Sequence, residues 1–435
     1  MSDSNGLRGR MRKTAVLASV LAIAGTVGYT GLKRVEGKGA DQPAVSPQTR
    51  AIVGATTAFL TALNPDERQK VHFAFATPKL GVIAPFHRTT DGGVAPGTPM
   101  GQQGGRGGAG GPGGPGGPGG QGRGPGGGPG GPGRGPGGGP GSGPSGGFIG
   151  ERYGAAVWSN YPVSDVLRPG LRLGSLSVVQ RAATMHLLQT VLSPMGYQKV
   201  LDIMGSDQAL TDAGTNFASG EAVYTIAIFG EPSVSKPWML QFGGHHLALN
   251  IVIAGPGGTM TPTLTGAQPS VYKRGEKTVR VLAQENDTAF ALLDALTEKQ
   301  KKQAILNYQV NDLVLGPGLA GKQIQPEGLK GSELDAKQRA MLVNVIAQWA
   351  GIVNDSYAKT RMAEIKADLD DTYFAWSGST THAVGKNGSS YYRIQGPKLV
   401  IEFSPQGVGG DPTMHVHTIY RDPTNDYGVK LTAAK

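Results

Sequence analysis

The chain has 435 residues, 71 glycines, 30 prolines, no cysteine and a formal charge of +10. Lacking cysteine, it cannot use disulfides, thiolate metal sites, iron–sulfur clusters or a cysteine nucleophile. Residues 1–50 hold eight Lys and Arg against Asp3, Glu36 and Asp41 (+5), and Arg106, Arg123 and Arg134 add three; only +2 of the +10 is left for the rest, so no nucleic-acid-binding surface is indicated.

Arg8, Arg10, Arg12 and Lys13 precede an apolar run from Ala15 to Ala24 that closes in Ala22-Ile23-Ala24. That is the basic region, apolar region and small-x-small site of a secretory signal. Continued through Leu32 to Lys33 and Arg34, the run reaches the length of a marginal membrane anchor. Residues 1–34 are therefore read as a signal peptide or N-terminal anchor, 35–47 as a spacer, and the protein as periplasmic or secreted, with the anchor as its one membrane contact.

Ser46-Pro47 supplies a cap and first-turn proline for a helix with Ile52, Ala55, Phe59, Leu60 and Leu63 at helical spacing, and Asn64-Pro65 begins a second, short helix. Residues 92–147 are nearly all Gly and Pro, a low-complexity insert that contributes nothing to a core. Ser177 caps a further helix that Ser193-Pro194 ends. Ala222–Phe229 and Leu247–Ala254 read as buried strands, and helices are expected near Thr288–Leu296, Asp335–Val353 and Arg361–Asp370. Strands follow at Thr372–Trp376, Tyr391–Ile394, Leu399–Phe403 and Met414–Tyr420. The pattern predicts an α+β fold in which helices of the N-terminal and middle parts pack on a mainly antiparallel sheet with a strand-rich C-terminus, and 48–91 with 148–433 form a single domain.

Four of the eight histidines fall in two groups, His245-His246 and His415-Val416-His417. Residues two apart on a strand share a face, so His415 and His417 would present two imidazoles together. Read as strand residues, His245 and His246 would point to opposite faces, leaving one of them free to join. Glu402, a lone acid among Leu399, Ile401 and Phe403, is the carboxylate expected to complete the set, with Asp422 and Asp426 as alternatives. Such a site suits Zn²⁺, Fe²⁺, Mn²⁺ or Cu²⁺. Arg421 and Arg393 are candidates to bind an anionic substrate, with an internal salt bridge as the plainer reading of each, and Asp426 is a candidate to orient a ligating histidine.

The blocks YTIAIFGEPSVSKPWMLQFGGHHLALNIVI, TPTLTGAQP, YYRIQGPKLVIEF and HVHTIYRDPTNDYG resemble the family catalogued as Domain of Unknown Function 3500 over 48–88 and 148–433. The resemblance implies an exported domain built around these blocks and assigns no catalytic residue. No phosphate loop, dinucleotide fingerprint, G-x-S-x-G elbow or H-E-x-x-H occurs. The expected function is a metal-dependent enzyme, hydrolase or oxidoreductase, acting on a small molecule. The alternative is a non-catalytic cell-envelope binding protein with structural histidines.

Overall fold

The computed structural model describes residues 45–75, 81–83, 150–215, 217, 219–320, 322–383, 388–407 and 411–432. The expected leader, most of the spacer and the Gly/Pro insert lie outside these residues. Among those described, no helix is long and apolar enough to cross a membrane.

The strands Trp238–Gly244 and Leu247–Ala254 are buried at nearly every position, as strands covered on both faces must be. They sit within a twelve-stranded sheet. Its main path runs His72–Phe73, Thr225–Phe229, Trp238–Gly244, Leu247–Ala254, Thr263–Ala267, Val416–Arg421, Leu399–Pro405, Tyr391–Gly396, Tyr373–Ser377 and Leu329–Lys330. Every pairing is antiparallel except that of His72–Phe73 with Thr225–Phe229. The α+β class is as the sequence indicates, although the sheet draws as heavily on the middle of the chain as on its end.

Alternation along the strands separates two faces. Ile226, Leu240, Leu249, Tyr392 and Ile401 meet Ile52, Leu188, Ile203, Leu292 and Trp349 of the helices in one large core. The opposite face carries Ala248, Leu264, Val400 and Ile419, covered by Trp158 and Leu315. His417, Arg421, Glu402 and Arg393 occupy this second face, because each alternates with a residue of the helical core. The helix capped by Ser177 ends at Val191, before Ser193-Pro194, and Ser193 then caps a further helix, Pro194–Asp212, which places Asp207 inside the molecule.

The same unit is built twice. Leu171–Arg172 and Leu329–Lys330 follow Gly170 and Gly328, both at φ 97°. Each leads through a 3-10 turn into a helix opened by a capping box, Ser177 with Gln180 before Val178–Val191 and Asp335 with Gln338 before Ala336–Ala350. Gln180 Nε2 donates to Ala62 O (3.1 Å) and Glu67 Oε2 (2.7 Å). Gln338 Nε2 repeats this with Ala295 O (2.8 Å) and Gln300 Oε1 (2.9 Å). The two units join where Thr263–Ala267 pairs with Val416–Arg421, and at the middle of that ladder the Thr265 and Thr418 hydroxyls are 2.6 Å apart. The hairpin closed by His245-His246 in the first unit thus corresponds to the one closed by Pro397-Lys398 in the second.

A Cβ on Gly328 would stand 2.3 Å from the carbonyl oxygen of Phe374, at a φ that L-residues avoid. Gly328→Ala is therefore expected to cost about 2–4 kcal/mol, read as a lower urea midpoint with unchanged slope. An unchanged midpoint would show that this junction yields freely.

Candidate metal centre

His245 and His246 form the two-residue loop between Gly244 and Leu247, which pair across the hairpin. Their expected alternation as strand residues does not occur, because both belong to the turn. His246 takes φ 59°, a left-handed conformation uncommon for residues other than glycine. Gly244 packs against the Tyr224 ring, where a Cβ would approach to 2.9 Å, and Tyr224 Oη donates to the His245 carbonyl at 2.7 Å. On the other side Gly266 lies beneath His246, and a Cβ there would come within 3.2 Å of the His246 side chain. His417 stands opposite Gly266 on the neighbouring strand, and His415 precedes that strand by one residue.

These placements bring His246, His415 and His417 together, all buried, with one ring nitrogen of each within 4.8 Å of the others. His415 Nε2 lies 3.0 Å from His246 Nε2 and 3.0 Å from His417 Nε2. Neutral imidazoles satisfy both contacts only by sharing a single proton or a single lone pair, whereas one cation takes up three lone pairs at once. Nitrogens bound about 2.0–2.1 Å from a shared Zn²⁺ at tetrahedral or octahedral angles lie roughly 2.9–3.4 Å apart, which the two contacts of His415 match, while the His246 and His417 nitrogens lie within 4.8 Å of each other.

Asn160 clamps the group from the covering segment. Its carbonyl accepts from the His246 amide at 3.0 Å, and its side-chain amide lies 3.0 Å from His417 Nδ1. The atom there is the amide nitrogen, which is also 3.1 Å from Nε2; turned over, the amide would present Oδ1 instead, accept Nδ1–H and leave His417 Nε2 as a lone-pair donor. Burial, then the neighbouring His245, His415 and His417 rings, hold the His246 pKa well below the ordinary 6.5. Burial, then His415 and His245, do the same to His417. Both rings are therefore neutral, with lone pairs available, at neutral pH.

The sign of the resulting pH dependence follows directly. Below 6.5 the unfolded chain binds protons that these two folded rings refuse, so stability falls as pH drops toward their lowered values. The slope approaches about 1.4 kcal/mol per pH unit for each ring. Urea unfolding of metal-free protein should give a lower midpoint at pH 5.5 than at pH 7.5; a higher one would mean that the rings are charged in the fold.

The other candidates lie elsewhere. His245 does not join the three nitrogens and sets Nδ1 2.7 Å from Asp207 Oδ1. Glu402 shares the face of His417, but Ser404 is the residue opposite His417, and Glu402 is two positions further along, opposite Ile419. Its carboxylate is taken up by the Val314 amide (2.9 Å), the Leu315 amide (2.8 Å) and Tyr391 Oη. Arg421 Nε donates to Asp426 Oδ2 at 2.8 Å, and Nη1 donates to the Leu315 and Leu319 carbonyls, all within the covered face. Asp426 thus orients an arginine rather than a histidine. Arg393 pairs with Glu327 at 2.7 Å. Each arginine makes the internal salt bridge of its plainer reading. Asn160 and Asp207 are absent from the sequence-based set, and neither stands in a spacing that sequence could single out.

A family model described as a protein of unknown function, DUF3500, matches residues 151–429. The chain belongs to this family. The matched span contains all three converging histidines of this DUF3500 chain, together with Asn160 and Asp207. No curated protein and no solved structure matches it.

Proposed function

We propose that this DUF3500 protein is an exported metal-dependent hydrolase acting on a small molecule, with His246, His415 and His417 holding one divalent transition metal. The observation that carries the reading is the convergence of three buried imidazoles, two pairs at 3.0 Å, with His246 and His417 held neutral and no carboxylate in the group among the described residues. Three neutral protein ligands leave the metal's charge undiminished and a coordination position for water or substrate, the ligand count of catalytic rather than structural zinc. A metal so held supplies Lewis acidity to a water or to a carbonyl or phosphoryl oxygen. The two-histidine, one-carboxylate set of non-haem iron oxygenases is a different arrangement, which makes Zn²⁺ the first candidate ahead of Fe²⁺, Mn²⁺ and Cu²⁺. The basic and apolar leader supports export.

The test is hydrolysis of a panel of activated esters, amides and phosphoesters by chelator-stripped protein, before and after one equivalent of Zn²⁺, Fe²⁺, Mn²⁺ or Cu²⁺. The expected result is activity that returns with one equivalent and fails to return in His415→Ala. Tight metal binding with no turnover on any substrate would favour the binding-protein reading instead.

A further inference from the structure

We propose that Asp207 and His245 form a positioning pair for the ligand His246: Asp207 fixes the His245 ring, and the face of that ring holds the His246 imidazole in place. The inference rests on the reading of His246 as a metal ligand. His245 and His246 stack with centroids 3.8 Å apart and planes 27° from parallel. Gly266 also lies against His246, where a Cβ would come within 3.2 Å of its Cβ and Cδ2, so the imidazole has both a ring and a side-chain-free backbone position beside it. His246 Nδ1 is buried and has no hydrogen-bond partner among the described residues, so the usual device for orienting a metal-ligating imidazole, a bond to its second nitrogen, is not used by them. Stacking replaces it.

His245 itself is held by three further contacts. Its Nδ1 meets Asp207 Oδ1 at 2.7 Å, its carbonyl accepts from Tyr224 Oη at 2.7 Å, and the Phe217 ring lies edge-on at 5.4 Å. The other Asp207 oxygen accepts from the Gly220 amide at 2.8 Å, so the carboxylate cannot rotate away. Asp207 is 1 % exposed. Burying a carboxylate this completely is costly, and a buried ion pair is weak support for stability.

The duplicated unit shows that the fold does not require it. At the corresponding hairpin tip, Pro397-Lys398, the turn reaches a carboxylate through Lys398 and Asp368, 3.0 Å apart and 45 % and 29 % exposed. Such an exposed pair contributes little. Of these two tips, the one with the buried, histidine-based pair is the one beside the three converging nitrogens.

The experiment is a Co²⁺ titration of the full chain followed by visible absorption, with near-ultraviolet circular dichroism of the metal-free proteins as the check on folding. Asp207→Asn keeps an acceptor for Gly220 but turns an amide N–H₂ toward His245 Nδ1. It is expected to weaken Co²⁺ binding about 10–100-fold and to shift the absorption bands, with the dichroism unchanged. His245→Ala should lose as much, and His245→Phe, which retains a ring face, should lose less. Wild-type affinity and bands in Asp207→Asn and His245→Ala would overturn the proposal, as would equal losses in His245→Phe and His245→Ala. Wild-type protein that binds no Co²⁺ would overturn the metal reading and this one together, whereas binding unaffected by these variants would overturn this one alone.

Discussion

Protein purified without a histidine tag and equilibrated with Zn²⁺ is expected to carry one equivalent per chain, and His415→Ala/His417→Ala less than about a tenth of one. The double substitution removes two of three converging nitrogens, and the remaining His246 cannot hold the ion alone. Linkage gives the same result a second readout. A ligand at a hundred times its dissociation constant stabilises the state that binds it by about 2.7 kcal/mol, so Zn²⁺ should raise the unfolding midpoint of the wild type and leave that of the double variant unchanged. Elemental analysis after gel filtration and thermal melts with and without Zn²⁺ measure both. A variant that keeps its full equivalent would place the metal elsewhere.

Glu402→Ala is expected to lower stability by about 3–5 kcal/mol while leaving metal stoichiometry at wild-type level. The side chain is wholly buried, and its loss strands the Val314 and Leu315 amides and the Tyr391 hydroxyl. Burial raises the Glu402 pKa, against the pull of Arg393, Tyr391 and the two amides, so this carboxylate is held at a cost by a local network. Glu151 does the same for the Gly318 and Ala320 amides, at 2.9 and 3.0 Å, and Arg421 for the carbonyls of Leu315 and Leu319. Glu402 and Arg421 thus fasten one covering segment to the twelve-stranded sheet, and Glu151 fastens it to a separate three-stranded sheet. Urea unfolding together with metal analysis separates the roles: loss of metal at unchanged stability would make Glu402 a ligand after all.

The histidine pair His415-x-His417 was legible because period-two alternation depends only on local backbone, and the extended segment there is unbroken. The hairpin tip was not. Two-residue loops usually announce themselves by Asn-Gly or Asp-Gly, and here the glycines precede the loop while a histidine takes the left-handed position. Glu402 shows the limit of reading a buried charge: its placement among apolar residues demands a partner, but the partners, Val314, Leu315 and Tyr391, become neighbours only through folding. Asp207 was hidden for a related reason, since Gly196 and Gly205 weaken the helical signal of the segment that carries it. The duplication leaves only a faint trace, Gly-Leu-Arg with Leu176, Gln180, Arg181 and Ala182 against Gly-Leu-Lys with Leu334, Gln338, Arg339 and Ala340. These few positions are the ones whose side chains or φ values make the junction, and the remaining sequence is free to diverge.

X-ray absorption at the metal edge of Zn²⁺- or Co²⁺-loaded protein tests the central claim most directly. The account predicts three imidazole nitrogens about 2.0–2.1 Å from one metal, with one or more light-atom ligands not supplied by Glu402 or His245. A spectrum without imidazole scattering, or one unchanged when His246, His415 and His417 are each replaced, would contradict it.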